Sequence, residues 1–246
     1  MGIKSHPKTA RNKMKTQFVF IPGLGADSRL FEAQRKVFPN AVTPPWLAPL
    51  KDETLAHYAR RWAQHLKLKK GCVLVGISFG GMVALEMAAW VRPQAVLLIG
   101  SCRHPSSVPW TLRFMGSFRV WPKLAKALAR LNPSVRGWFL GVNKGDQLDL
   151  LMKMFRESPD DFLAWTVNAI RGWKGFDGKF SPVRQIHGRR DRLIPCRNVE
   201  SDEVIEDGGH TIILTHPAEV NSFISKWANL SAKGFQIGQA KKLNSR

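Results

Sequence analysis

The chain has 246 residues, of which 44% are hydrophobic and 23% are charged, a balance typical of a globular protein. It contains no apolar run of the roughly 20 residues needed to cross a bilayer. Its three cysteines are widely spaced and form no CxxC pair, which argues against a disulfide framework and against a zinc site. We therefore expect a cytoplasmic protein with no transmembrane segment and no bound metal.

The formal net charge of +20 is the least usual property of the composition. Residues 1–15 carry five Lys or Arg, residues 231–246 carry four, and neither stretch contains an acidic residue. We expect residues 1–15 to form a disordered basic tail and residues 231–246 to form a second basic tail. The charge suits either a solvated basic surface or an acidic macromolecular partner. Because the sequence has no zinc finger and no aromatic RNP motif, we predict no specific recognition of nucleic acid.

Short apolar strands alternate with helices along most of the chain. Strands are predicted at 16–21, 41–43, 72–77, 95–100, 182–186 and 204–205, and helices at 27–38, 53–66, 79–90 and 217–230. This alternation, with strands that are apolar throughout, predicts an α/β fold whose parallel sheet is covered by helices on both faces. We expect about six strands, mostly or wholly parallel, in a core formed by residues 16–103 and 181–230.

The alternation stops between residues 104 and 180, where the sequence is helical in character and interrupted by prolines. This segment contains five of the nine tryptophans. Because it follows the fourth predicted strand, we expect a helical lid over the carboxyl edge of the sheet, where open α/β folds bind ligands. Two of its tryptophans, Trp110 and Trp165, are predicted to contact the substrate. The alternative is that each of them packs the lid onto the sheet.

One serine stands among glycines where a buried strand turns directly into a buried helix. Residues 76–80 read GISFG, which matches the G-x-S-x-G pattern of a nucleophile elbow. The turn forces Ser78 into a strained backbone conformation, and the glycines let the strand and the helix pack closely around it. A tight turn with an incidental serine is the alternative. The apolar strand and the Ala- and Met-rich helix on either side favour the nucleophile.

A serine nucleophile needs a base, and the base needs a carboxylate to orient it. In a fold of this kind the acid and then the histidine should follow later strands. The segment VRQIHGRRD ends on Asp191, and the segment VIEDGGH ends on His210. Among the competing histidines, His187 precedes a glycine turn and is expected to pack or bond locally.

The oxyanion of an acyl-transfer reaction needs two backbone N–H donors. Phe79 supplies one candidate, because it begins the helix after Ser78 and its N–H points toward charge developing beside the serine. The strand FVFI is followed by the glycine loop PGLG, in which Leu24 supplies the second candidate. An ordinary strand-to-helix turn is the alternative for this loop.

Four motifs occur in one order along the chain: IPGLGADSRLF, VGISFGGMVALEMA, IHGRRDRLIP and a late GGH. With them the chain resembles the α/β-hydrolase superfamily over roughly residues 16–230. Within it the chain looks similar to small bacterial carboxylesterases with a helical lid, including pimeloyl-carrier-protein methyl esterase-like proteins. The resemblance implies that Ser78 is the nucleophile, Asp191 the acid and His210 the base. The chain departs from many members by having Pro22-Gly23 where they have His-Gly.

These residues predict a serine hydrolase that cleaves a carboxylic ester or thioester through an acyl-serine, with no cofactor. Leu24 and Phe79, together with the two lid tryptophans, are the predicted substrate contacts. Residues 104–180 carry twelve Lys or Arg and six Asp or Glu, so the lid could also dock an acidic acyl carrier protein. The alternatives are a C–C bond hydrolase, lactonase or acyltransferase with the same triad, and a non-catalytic ligand receptor.

Overall fold

The computed structural model describes residues 16–110, 123, 126, 133–142, 145–178 and 181–228. Both predicted basic tails lie outside these described residues, as does the stretch 111–122 of the predicted lid. Among the residues described, no helix is both long enough and apolar enough to cross a bilayer.

Five parallel strands form one sheet, in which neighbours in sequence are also neighbours in space. The strands are β1 (Phe18–Ile21), β2 (Val73–Ile77), β3 (Ala95–Ile99), β4 (Val183–Gly188) and β5 (Glu203–Ile205). The central strands β2 and β3 are buried at every residue, as expected for a sheet covered on both faces. All five strands run in the same direction, so their carboxyl ends lie at one edge.

Helices connect the strands and cover both faces of the sheet. They are α1 (Glu32–Val37), α2 (Leu55–His65), α3 (Phe79–Val91), α4 (Pro133–Leu140), α5 (Gly145–Glu157), α6 (Asp160–Gly172), α7 (Ile212–Thr215) and α8 (residues 217–228). Successive residues of β3 enter different cores, because side chains alternate across a strand. Val96 and Leu98 pack with α2 and α3, whereas Leu97 and Ile99 pack with Phe223 of α8. The predicted α/β fold is therefore confirmed.

The expected second strand is reduced to a single parallel bridge at Val42. The N–H of Val42 donates to the carbonyl of Phe18, and its carbonyl accepts from the N–H of Phe20, both at 2.8 Å. Pro44 and Pro45 follow, and proline has no N–H with which to extend a ladder. The described sheet thus has five strands where we expected about six, and the helical insert follows the third strand instead of the fourth.

Helices α4, α5 and α6 lie between β3 and β4, and they contact the loops that leave the carboxyl edge of the sheet. The carbonyl of Leu140, at the end of α4, accepts from the N–H of Thr211 at 3.2 Å and from its hydroxyl at 2.8 Å. Arg29, in the turn after β1, pairs with Glu157 of α5 at 2.5 Å. The insert is thus tied to the loops after β5 and β1, which carry residues of the predicted site.

Candidate active site

Ser78 lies between the last residue of β2 and the first residue of α3, with φ +50° and ψ −121°. A positive φ is costly for a residue with a side chain, so the conformation must be held by its surroundings. The N–H of Ser78 donates to the carbonyl of Ile99 at 3.1 Å. Its carbonyl accepts from the N–H of Gly81 at 2.9 Å and from the hydroxyl of Ser101 at 2.7 Å. The strained serine expected from the sequence is present.

Two glycines make this sharp turn possible. A Cβ added at Gly76 would lie 2.5 Å from the Cα of Gly81. A Cβ added at Gly80 would collide with the carbonyl oxygen of Pro22 and would lie 2.8 Å from the carbonyl carbon of Ile21. These neighbours are backbone atoms, which cannot turn aside as a side chain can. The glycines therefore let β1, β2 and α3 approach one another around Ser78.

We expect Gly80→Ala to lower the free energy of unfolding by about 1–3 kcal/mol, the usual cost of overpacking, because the new methyl group meets backbone. Gly172→Ala is the matched control, since Gly172 is an exposed helical position with nothing within 4 Å of an added Cβ. There alanine should leave stability unchanged or raise it by up to about 1 kcal/mol. Urea unfolding midpoints measure both variants. Equal midpoints for the two would contradict the close packing at the elbow.

The structure brings together the three residues of the predicted triad. The Nε2 of His210 lies 3.0 Å from the Oγ of Ser78, and its Nδ1 lies 2.8 Å from the Oδ2 of Asp191. Asp191 stands in the loop after β4, and His210 in the loop after β5. Asp191 is 5% exposed and His210 is 7% exposed, so water has little access to the contact between them.

The carboxylate determines which nitrogen of His210 carries the proton. An ionised carboxylate only accepts hydrogen bonds, so the Nδ1 that faces Asp191 must be the donor. The Nε2 of the neutral ring is then left as an acceptor, and it faces the hydroxyl of Ser78. This arrangement can take a proton from the serine as its oxygen attacks an electrophile.

Asp191 is held by donors on both of its oxygens. Its Oδ1 accepts from the N–H groups of Leu193 and Ile194, both at 2.8 Å. Its Oδ2 faces His210 and also lies 3.1 Å from the Nε2 of His187. Burial alone would raise the pKa of Asp191, but the charge of protonated His210 and the hydrogen bonds from these neighbours outweigh it. The pKa is therefore held well below its usual range, and the carboxylate stays ionised.

The loop predicted to supply an oxyanion donor passes beside the serine. A Cβ added at Gly23 would lie 3.4 Å from the Cβ of Ser78. The carbonyl of Gly23 accepts from the N–H of Ala26 at 3.1 Å, and Gly25 takes φ +68° at the third position of this turn, where glycine is favoured. Within the described part of the chain, no backbone hydrogen bond is found from the N–H of Leu24 or of Phe79. Their role as oxyanion donors stays a prediction.

The two predicted lid contacts differ in their surroundings. Trp165 is 8% exposed, its Nε1 donates to the carbonyl of Glu53 at 2.7 Å, and its ring lies edge-on to that of Phe79 with centroids 5.9 Å apart. Trp165 therefore packs against one of the predicted substrate contacts and anchors α6 to the core. Trp110, by contrast, is 70% exposed.

His187 is buried and bonds locally, in agreement with the expectation from the sequence. It donates to the carbonyl of Ile194 at 2.8 Å, and its Nε2 also lies 3.1 Å from the Oδ2 of the predicted acid, Asp191. The spacing of four residues between His187 and Asp191, across a glycine turn, is the sequence signal for that contact.

Among the described residues, no cluster of three or more His, Cys, Asp or Glu could hold a metal ion.

Comparisons with known proteins agree with this architecture. The chain is similar to a thermophilic esterase from Thermogutta terrifontis, with 18% identity, 88% of this chain and 90% of that chain covered, and a TM-score of 0.67. It is similar to the enol-lactonase from Burkholderia xenovorans LB400, with 16% identity, 87% and 91% covered, and a TM-score of 0.67. It is also similar to a bromoperoxidase from Bacillus anthracis, with 15% identity, 87% and 92% covered, and a TM-score of 0.64.

At these identities the likeness shows the fold alone. Comparison with curated protein sequences gave no significant match. The model of the alpha/beta hydrolase family, however, matches residues 18–223, which include the five strands described above and all three residues of the predicted triad. The chain therefore belongs to the alpha/beta hydrolase family.

Proposed function

We propose that this protein is a serine hydrolase that cleaves a carboxylic ester or thioester through an acyl-serine intermediate. One observation carries the proposal, namely the continuous chain of contacts from Ser78 through His210 to Asp191, at 3.0 Å and 2.8 Å. A serine hydroxyl becomes nucleophilic when an oriented, neutral imidazole can take its proton. The esterase and lactonase among the similar structures support this class of reaction, since a lactone is a cyclic ester.

The acylation half of the reaction follows from the positions of these groups. The Oγ of Ser78 attacks the carbonyl carbon while the Nε2 of His210 takes its proton, and Asp191 stabilises the imidazolium that forms. The N–H groups of Leu24 and Phe79 bind the oxyanion. The tetrahedral intermediate then collapses, and the alcohol or thiol leaves with the proton from His210.

Hydrolysis of the acyl-serine uses the same groups in reverse. His210 takes a proton from water, the resulting oxygen attacks the acyl carbon, and the oxyanion again lies between Leu24 and Phe79. Collapse of this second intermediate returns the proton to Ser78 and releases the carboxylic acid. No step requires a metal or an organic cofactor.

The acyl group is proposed to lie along Leu24 and the ring of Phe79, both of which pack against the α2–α3 core. Trp165 contacts that ring edge-on, so in this proposal it shapes the pocket through Phe79. The substrate contact of Trp110 and the docking of an acidic acyl carrier protein remain predictions. They rest on the tryptophan content and the basic charge of residues 104–180.

Hydrolysis of p-nitrophenyl esters from acetate to dodecanoate tests the proposal, with an acyl thioester and a simple lactone assayed beside them. We expect saturable turnover that peaks at one chain length, because a pocket of fixed size discriminates among acyl chains. A folded protein that turns over none of these substrates would contradict the proposal. It would favour instead a C–C hydrolase, an acyltransferase or a ligand receptor with the same triad.

A further inference from the structure

Two polar side chains are fully buried on β4, behind the predicted acid. Gln185 and His187 are both 0% exposed, and they lie on the same face of the strand because they are two residues apart. Such side chains are rarely buried unless their polar atoms find partners. The amide nitrogen of Gln185 and both ring nitrogens of His187 find partners here, in each other and in the loops after β3 and β4. Among the described residues, the Oε1 of Gln185 has no hydrogen-bond partner.

The amide of Gln185 favours one tautomer of the neutral His187 ring. Its Nε2 donates to the carbonyl of Ser101 at 2.9 Å and lies 3.2 Å from the Nδ1 of His187. A reversed amide would place two acceptors against each other at Ser101, so the nitrogen must occupy this position. The Nδ1 of His187 is then an acceptor, and the proton of the neutral ring is on Nε2.

That proton faces the loop that carries Asp191. The Nε2 of His187 donates to the carbonyl of Ile194 at 2.8 Å and lies 3.1 Å from the Oδ2 of Asp191. The N–H of Ile194 in turn donates to the Oδ1 of Asp191 at 2.8 Å. His187 therefore contacts the carboxylate directly and also holds the peptide that binds its other oxygen.

The contacts form a closed ring around the triad. Ser101, whose carbonyl accepts from Gln185, also donates its hydroxyl to the carbonyl of Ser78 at 2.7 Å. One path therefore joins Ser78 to Asp191 through His210, and a second path joins them through Ser101, Gln185 and His187. The three residues of the second path are fully buried. This path can therefore hold Asp191 at a set position relative to Ser78.

We infer that His187, in the tautomer set by Gln185, is a positioning residue of the triad that holds Asp191 in place for His210. The inference rests on the proposed function, and it adds a residue that touches neither the substrate nor the reacting atoms. Its effect is expected in the chemical step, because a misplacement of about 1 Å can cost about 10²-fold in rate.

Three substitutions at this position separate positioning from packing. His187→Leu fills the space but removes both ring nitrogens. His187→Gln keeps a donor that can reach Ile194 and an acceptor that can face Gln185, whereas the shorter His187→Asn cannot reach both. Gln94→Leu is the stability control, because it removes a 2.8 Å hydrogen bond to the carbonyl of Ala228 away from the triad.

With the best p-nitrophenyl ester, we expect His187→Leu to lower kcat by about 10- to 100-fold and to change KM by less than about twofold. His187→Gln should recover most of the lost kcat, and Gln94→Leu should keep the wild-type value. If His187→Leu does not fold, the test compares the Gln and Asn variants instead. We then expect kcat of His187→Gln to exceed that of His187→Asn by at least about tenfold.

The outcomes distinguish this inference from the proposed function. If the wild type turns over no ester, the proposed function fails, and the inference fails with it. If the wild type is active and His187→Leu keeps kcat within about twofold while losing only thermal stability, the inference alone is overturned. Equal kcat values for the Gln and Asn variants would overturn it in the same way.

Discussion

Ser78→Ala is expected to lower kcat for ester hydrolysis by about 10⁴-fold or more, because the variant lacks the oxygen proposed to form the acyl intermediate. Among the residues that the structure describes, the hydroxyl pairs with one side chain, His210 at 3.0 Å, so its removal should hardly affect folding. Steady-state assays with the best p-nitrophenyl ester measure the decrease in kcat, and thermal unfolding shows whether the variant is folded. Ser222→Ala, at an exposed position of α8, is the matched control and should keep full activity.

Ser78→Gly extends this prediction to stability. Glycine populates positive φ without the cost that serine bears at φ +50°. We therefore expect an inactive protein that is about 1–3 kcal/mol more stable than Ser78→Ala, the usual cost of such backbone strain. A glycine variant no more stable than the alanine variant would contradict stored strain at the elbow, and residual activity above about 1% in either would contradict the role of the hydroxyl.

Asp191→Asn is expected to lower kcat by about 10⁴-fold while the fold is kept. The asparagine oxygen can still accept from the N–H groups of Leu193 and Ile194, which leaves the amide NH₂ facing His210. An NH₂ group favours the tautomer that carries its proton on Nε2, and that nitrogen can no longer accept from Ser78. Steady-state kinetics measure the loss, and a decrease of less than about tenfold would contradict the assigned role.

The same variant should change the response of stability to acid. The pKa of Asp191 is depressed in the folded protein, so its ionised form stabilises the fold fully above the unfolded pKa of about 3.9. That contribution is lost as the pH falls below about 4 toward the lower folded pKa. We therefore expect the free energy of unfolding to fall more steeply below about pH 4 in the wild type than in Asp191→Asn. Urea titrations across this range measure the two slopes, and parallel slopes would contradict the prediction.

Local rules made much of the site predictable from the sequence. The elbow around Ser78 depends on adjacent residues, because glycines that permit a sharp turn must flank the strained position. Asp191 and His210 could be located because each follows a short apolar strand and a glycine turn. Parallel strands end at one edge, so residues placed after them converge even when the chain between them is long.

Other features depend on contacts between distant segments. The pairing of Val42 ends after one bridge, although its apolar character suggested a strand, because prolines follow it. The burial of Trp165 against Phe79 depends on how α6 packs, and tryptophan content alone did not separate it from Trp110. The contact of His187 with Asp191 depends on the path of the turn after β4, which composition does not determine.

Two of the three buried thiols are weak rivals to the serine as nucleophiles. Cys72, Cys102 and Cys196 are all buried and free. Burial raises the pKa of Cys72 to about 11 and that of Cys102 to about 12, so both are held as neutral thiols and are weak nucleophiles. These two thiols are therefore not expected to compete with Ser78 in a covalent reaction at neutral pH.

The measurement that tests the central claim most directly is mass spectrometry of the protein after reaction with an alkyl fluorophosphonate. In this reaction the Oγ of the nucleophile displaces fluoride from phosphorus and its proton passes to the base. We predict one adduct per chain, located on Ser78, which forms rapidly in the wild type and hardly at all in His210→Ala. An unmodified protein, or an adduct on a residue other than Ser78, would contradict the assignment of Ser78 as an activated nucleophile.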